Sequence, residues 1–107
     1  MPGELLDLGL GHSLRYARWA PDRALNPRYA HLPDVDRYCA LHTHPRPDGA
    51  PCGTNGLTFD GPVQRELDPA RPRWQVVSWE PLTLSPSVLC TACQAHGWIR
   101  DGRWVPA

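Results

Sequence analysis

The residues of this chain best suited to chemistry are its cysteines and histidines. Cys90 and Cys93 are separated by two residues, and a pair with this spacing can chelate one tetrahedral metal ion from a single turn. The same spacing occurs in redox proteins and in thiols that bind nothing, so three interpretations compete. The first residues lack the basic segment of a secretory signal, so we expect reduced thiols, which favours metal binding over disulfides.

The second half of such a metal site must come from elsewhere in the sequence. Cys52 is the first choice, because it follows a turn-rich loop punctuated by proline and glycine, the usual setting for a ligand on a tight loop. For the fourth position, His44 is favoured by its proximity to Cys52 along the chain, and Cys39 is favoured because thiolate is the stronger zinc donor. His96 is a further alternate. The residues alone predict a structural zinc site and leave the fourth ligand open.

Hydrolytic chemistry is a competing hypothesis. Ser85, Ser87 and His96 could supply a nucleophile and a base, but Ser–His pairs arise often by chance and the sequence has no Gly-x-Ser-x-Gly elbow. The two hydroxyls are better explained as capping groups of a turn around Pro86. Catalytic zinc would need an open coordination position and a neighbouring acid or base, such as Glu80 or His96, and the spacing singles out neither.

Short strands must position these groups. Residues 37–44 alternate between two faces, residues 74–80 are dense in β-branched and aromatic side chains, and residues 13–19 show a weaker alternation. Asp101-Gly102 stands between two such runs and predicts a hairpin over residues 97–105. The sequence therefore predicts a chain made mainly of β-strands.

Composition limits how regular this β structure can be. Thirteen prolines and nine glycines among 107 residues break helices and central strands, so we expect long Pro-rich loops. A chain of this length has a thin core, to which a bound zinc ion would add on the order of 10 kcal/mol of folding free energy. The predicted fold is a mostly β, small zinc-stabilised single domain with short strands and a C-terminal β-hairpin. We expect residues 1–36 to form an irregular N-terminal arm and connector, and residues 37–107 to form the zinc-stabilised β domain.

The charge and hydropathy of the chain disfavour two classes of partner, nucleic acids and membranes. Eleven arginines balance eleven acidic residues, the net charge is zero, and the basic surface typical of phosphate binding is missing. No apolar run approaches the roughly 18 residues needed to cross a bilayer. We therefore expect a protein partner, no membrane and a cytoplasmic location, with nucleic acid disfavoured.

Two motifs in the last third resemble those of a small bacterial and phage family classed as a domain of unknown function. They are the Leu-Ser-Pro-Ser turn of residues 84–87 and the His-Gly-Trp-Ile-Arg-Asp-Gly hairpin of residues 96–102. The branch with Cys-x-x-Cys between these motifs is similar to proteins of phages that infect actinobacteria, in which a His-Pro-x-Pro-x-Gly-x-x-Cys loop precedes them. Residues 44–52 match that loop. Other branches occur near bacterial ubiquitin-like conjugation genes, which implies a partner-binding role.

The resemblance favours His44 as the fourth ligand. The predicted set is His44, Cys52, Cys90 and Cys93, with Cys39 and His96 as alternates. No catalytic constellation stands out, so the sequence favours a non-enzymatic, zinc-stabilised interaction protein, a phage accessory or host-modulating factor in the host cytoplasm. The alternatives are a nucleic-acid-binding zinc ribbon and a metal-dependent hydrolase.

Overall fold

A computed structural model describes residues 4–107, and its largest unit is a four-stranded antiparallel sheet. The strands lie in chain order and are β1 (Leu5–Gly9), β2 (His12–Trp19), β3 (Val35–Pro45) and β4 (Pro51–Thr58). On β2 the buried residues His12, Leu14 and Tyr16 alternate with more exposed ones, because successive side chains of a strand point to opposite faces. The predicted strand at residues 37–44 is the central part of β3.

The N-terminal segment differs from the irregular arm that we expected. Residues 5–19 form an antiparallel pair, with Leu6 opposite Leu14, and β2 then pairs with β3. The turn between β1 and β2 places Gly9, Leu10 and Gly11 at positive φ, which explains why a glycine-rich stretch can join two strands. The start of the predicted arm, residues 1–3, lies outside the described residues.

Two short helical segments interrupt the series of strands, and the first lies within residues 1–36, which we expected to be an irregular arm and connector. A 3₁₀ turn covers Pro27–Tyr29, and helix α1 covers Pro62–Leu67. Proline suits the first turn of a helix, where its missing N–H has no partner to lose. Helix α1 is fixed to the first sheet by Gln64, whose Nε2 donates to the carbonyl of Tyr38 at 3.1 Å.

The remaining strands form two small antiparallel sheets. The first is the hairpin of β5 (Gln75–Trp79) and β6 (Leu82–Ser85), and the second contains β7 (Val88–Leu89), β8 (His96–Arg100) and β9 (Arg103–Pro106). Asp101 and Gly102 both have positive φ, as a two-residue type I′ turn requires. The predicted C-terminal hairpin is therefore confirmed.

One hydrophobic core joins the three sheets. Its members are the buried side chains of Leu8, Leu14, Tyr16, Ala40, Leu57, Phe59, Leu82, Leu84, Val88, Ile99 and Trp104. Because these residues come from every sheet, none of the small sheets is an independent unit. The prediction of a small, mostly β domain is confirmed. Within residues 4–107, no helix has the length and apolar character needed to cross a membrane.

Candidate metal centre and serine–histidine pair

The structure brings together the four residues that the sequence put forward as metal ligands. One ligand atom from each of His44, Cys52, Cys90 and Cys93 lies within 4.8 Å of the other three. His44 lies near the end of β3 and Cys52 near the start of β4, so the turn between these strands presents both. Cys52 therefore lies in a strand and not, as we expected, on a tight loop. Cys90 and Cys93 belong to the connection between β7 and β8.

The donor atoms are close without being covalently joined. Sγ of Cys52 lies 3.8 Å from Sγ of Cys90, and Sγ of Cys93 lies 3.5 Å from Nε2 of His44. All three cysteines are free thiols. His44 and Cys90 are buried, which keeps water from competing for an ion held between these atoms. Three sulfurs and one imidazole nitrogen around a common centre form a candidate metal centre.

A tight loop sets the position of the Cys-x-x-Cys pair. The backbone N–H of Cys90 donates to the carbonyl of Ala95 at 2.8 Å, and the N–H of Gln94 donates to the carbonyl of Cys90 at 2.7 Å. Gln94 has a φ of 66°, the left-handed conformation that reverses the chain. Both sulfurs are thereby turned toward the β3–β4 turn, where the other two ligand atoms lie.

Without a bound ion, the surroundings lower the pKa of one thiol in the cluster and raise the pKa of another. The pKa of Cys90 is lowered to about 6, chiefly by the side chain of Asn55 and also by backbone N–H groups of the loop. The pKa of Cys52 is raised to about 11, first by its hydrogen bond with Cys93 and then by burial. Cys90 is therefore prepared as a thiolate near neutral pH, whereas Cys52 must lose a proton when a cation binds.

The two alternate ligands lie outside the cluster. Cys39 is opposite Thr58, near the other end of the β3–β4 ladder, and burial raises the pKa of its thiol. The ring of His96 instead contacts Ser87. The choice of His44 for the fourth position therefore agrees with the geometry.

A stack of aromatic rings lies next to the cluster. The ring of His12 stacks on the indole of Trp104 at 4.1 Å, and His42 and His44 stack with centroids 5.0 Å apart. Nδ1 of His12 lies 2.9 Å from Nε2 of His42. Burial lowers the pKa of His12 to about 4 and that of His42 to about 3, so both rings are neutral near pH 7. Among residues 4–107, Nδ1 of His42 and Nδ1 of His44 are buried without a hydrogen-bond partner.

A second pair of reactive side chains flanks the β7–β8 ladder, with Ser87 just before β7 and His96 at the start of β8. Oγ of Ser87 is 2.9 Å from Nε2 of His96, which is hydrogen-bond distance. Leu89 is opposite His96 in the ladder, and Ser87 precedes β7 by one residue, so period two places the serine and histidine side chains on the same outer face. The hydroxyl of Ser87 therefore contacts an imidazole, a contact that sequence reasoning had considered and ranked below a turn-capping role.

The backbone of Ser87 is also fixed. Nε1 of Trp74 donates to the carbonyl of Ser87 at 3.2 Å, and Trp74 is held by backbone hydrogen bonds with Thr58 and Asp60. His96 is exposed, and beside it lies a cleft of about 640 Å³ lined by residues that include Leu10, Arg46 and Trp104. The hydrogen bond from Trp74 thus holds the backbone of Ser87, and of the two residues of the pair it is His96 that lines the cleft.

A comparison with protein families matches the part of the chain that contains the Ser87–His96 pair. Residues 50–107 match the family described as "Bacterial ubiquitination-like system serine protease (BubE)". The chain belongs to the BubE family. The matched part contains Ser87, His96 and three of the four clustered ligands, whereas His44 precedes it. Neither the curated proteins nor the solved structures contain a match to this BubE-family chain.

Proposed function

We propose that this protein is a serine hydrolase of peptide bonds, with Ser87 as nucleophile and His96 as general base. The observation that carries the proposal is the 2.9 Å contact between Ser87 Oγ and His96 Nε2. A nucleophile and a base within hydrogen-bond reach are the minimal geometry for covalent catalysis. The contact lies in the part of the chain that matches a family described as a serine protease.

The chemistry follows the usual sequence of acyl transfer. His96 Nε2 takes the proton of Ser87 as Oγ attacks the substrate carbonyl, and the imidazolium then gives that proton to the leaving amine. An ester between Ser87 and the acyl part remains. Water attacks that ester with His96 again acting as base, which releases the acid and restores the serine hydroxyl.

The cleft beside His96 is the proposed site for the substrate chain. Its walls combine the exposed apolar side chain of Leu10, prolines of the β3–β4 turn and the ring of Trp104. Arg46 is the positively charged residue of this lining. Such a surface suits an extended peptide that carries apolar side chains and a carboxylate.

We further propose that the metal centre holds one structural zinc ion. With Zn–S bonds of about 2.3 Å and Zn–N bonds of about 2.0–2.1 Å, a tetrahedron has S···S edges of about 3.8 Å and S···N edges of about 3.6 Å. The corresponding distances here are 3.8 Å between Cys52 and Cys90 and 3.5 Å between Cys93 and His44. Zinc would bridge the β3–β4 turn and the β7–β8 loop.

The same donor set argues against a metal-dependent hydrolase. Four protein ligands fill a tetrahedral ion, and a catalytic zinc keeps one position free for water or substrate. The proposed zinc therefore takes no part in bond cleavage, and the acid–base chemistry is assigned to His96.

Hydrolysis of p-nitrophenyl acetate tests the role of Ser87. We expect the zinc-loaded protein to release p-nitrophenolate above the background rate, and Ser87→Ala to lose this activity by roughly 1,000-fold or to the background rate. Ser85→Ala is the matched control, because Ser85 is exposed and lies two residues away on the same turn. Equal rates for the two variants would contradict the proposal.

A non-enzymatic protein that acts by contacts with a protein partner is the other function that the sequence favoured. It predicts that Ser87→Ala keeps every partner interaction and that the wild type cleaves no ester. The same hypothesis includes a phage origin of the protein and a location in the host cytoplasm. The neutral charge of the chain continues to disfavour nucleic acid as that partner.

A further inference from the structure

The proposed metal centre and the serine–histidine pair share one short piece of chain. Ser87 precedes Cys90 by three residues, and His96 follows Cys93 by three residues. The loop that carries the two thiols is therefore the connection between the nucleophile and its base. A change in the conformation of this loop can therefore change the distance between Ser87 and His96.

The strand pairing on its own is weak. Strand β7 has two residues, and its ladder with β8 consists of Val88 opposite Gly97 and Leu89 opposite His96. Strand β7 is thus a two-residue edge strand of the β7–β8–β9 sheet, held by this short ladder and by the burial of Val88 in the shared core. Two backbone hydrogen bonds, from the N–H of Cys90 to the carbonyl of Ala95 and from the N–H of Gln94 to the carbonyl of Cys90, close the loop next to it.

The other two ligands belong to a much larger structure. His44 and Cys52 lie on β3 and β4, which are paired with each other over residues 39–45 and 51–58. An ion held by all four residues would attach the β7–β8 loop to this ladder at two points, Cys90 and Cys93. The loop conformation would then be set by the four-stranded sheet.

We propose that the metal ion is a positioning device for the Ser87–His96 pair. By fixing the β7–β8 loop at Cys90 and Cys93, it keeps Oγ of Ser87 within hydrogen-bond distance of Nε2 of His96. The proposal rests on the proposed function, yet it concerns geometry and can be measured apart from activity. A positioning role differs from general stabilisation of the fold. It predicts that a variant which still binds the ion, but has a longer connection between Cys93 and His96, loses the hydrogen bond between Ser87 and His96.

Glycine insertions separate these two roles. Two glycines between Gln94 and Ala95 leave the four ligands and the Cys-x-x-Cys spacing unchanged but lengthen the path to His96. The matched control carries two glycines between Ala70 and Arg71, in the exposed segment between α1 and β5, which lengthens the connection between Cys52 and Cys90 but changes neither the path from the thiols to the pair nor the proposed substrate cleft. If the variant with two glycines between Gln94 and Ala95 binds less zinc than the wild type, a variant with one glycine at that site is used instead.

Three readouts are taken on each protein: zinc content by elemental analysis, the ¹⁵N resonance of His96 Nε2, and hydrolysis of p-nitrophenyl acetate. We expect both insertions to keep about one zinc per chain. In the Gln94–Ala95 insertion the resonance should move to the position found in Ser87→Ala, and hydrolysis should fall by about 100-fold. The control should match the wild type in both.

These outcomes test the positioning role of the metal ion and the proposed hydrolase function separately. An unchanged resonance in the zinc-loaded Gln94–Ala95 variant would overturn the positioning role, whatever the activity. If the wild type hydrolyses no ester but its resonance shifts on insertion, the positioning role stands and the hydrolase proposal fails. If the insertion changes neither the resonance nor the rate of hydrolysis, the hydrolase proposal is retained and the positioning role of the metal ion is rejected.

Discussion

At the residue scale, the metal ligands and the reactive pair differ in how far the sequence specifies them. Cys90 and Cys93 could be paired from their spacing, because two thiols on one turn have few other geometries. Ser87 and His96 are nine residues apart, and their contact depends on the register that sets Leu89 opposite His96. That register follows from the conformation of the intervening loop, which neither composition nor periodicity specifies. The sequence therefore offers this pair as one possibility and ranks it below a turn-capping role.

Trp74 is predicted to assist Ser87 through its indole N–H. Trp74→Phe keeps a ring at this partly buried position but removes the donor to the Ser87 carbonyl. Loss of one hydrogen bond of about 1 kcal/mol should loosen the nucleophile and lower ester hydrolysis by roughly 5-fold, with zinc content unchanged. Stopped-flow or steady-state rates measure the effect.

Trp19→Phe is the control for this substitution. Trp19 lies on β2 and stacks with Tyr38, so the same chemical change is made far from the pair. A loss of rate as large in Trp19→Phe as in Trp74→Phe would assign the effect to general destabilisation and contradict the role of the indole N–H.

At the element scale, the C-terminal hairpin was the most predictable part of the fold. Asp101-Gly102 carries its own turn geometry, so local chemistry was sufficient. Strand β1 and helix α1 were missed, since a glycine-rich turn and an initial proline also occur in loops. Strand β2 was predicted only from the weak alternation of residues 13–19, because its pairing with β3 is non-local. Sequence alone could not supply that non-local partner.

Gly97 is predicted to be essential for packing the β8–β9 hairpin. A Cβ at this position would lie 2.5 Å from the carbonyl oxygen of Val105 and 2.6 Å from Cζ2 of Trp104. Gly97→Ala must therefore displace the indole that stacks on His12, and we expect a loss of about 1–3 kcal/mol in the free energy of unfolding. Chemical denaturation followed by tryptophan fluorescence measures this loss.

Gly56→Ala is the matched control. A Cβ at Gly56 would lie 3.6 Å from its nearest neighbour, the end of the flexible Arg71 side chain, so the change should be tolerated. If Gly97→Ala and Gly56→Ala have the same stability, close packing at Gly97 is not a constraint on the hairpin.

At the scale of the whole molecule, three sheets share one core and the ligand cluster crosses between two of them. His44 and Cys52 come from the four-stranded sheet, whereas Cys90 and Cys93 adjoin the sheet of β7, β8 and β9. The overall class, a small β domain, was predictable because prolines and alternating segments exclude long helices. How the sheets assemble was not, because the contacts between them are long-range.

Metal removal is predicted to destabilise the whole domain. A strong chelator, or Cys93→Ser, should lower the melting temperature and broaden the unfolding transition, because zinc binding supplies folding free energy on the order of 10 kcal/mol. Differential scanning calorimetry with and without added zinc measures the effect. Cys39→Ser is the control, since Cys39 lies outside the cluster and should keep the metal. A transition unaffected by the chelator would contradict a structural ion.

The central claim is that Ser87 is a nucleophile activated by His96, and labelling with a fluorophosphonate tests it most directly. The zinc-loaded protein is treated with the probe, digested and analysed by mass spectrometry. We expect one adduct, on the peptide that contains Ser87, absent in His96→Gln and retained in Ser85→Ala. No adduct on Ser87, or an adduct that persists unchanged in His96→Gln, would contradict the account.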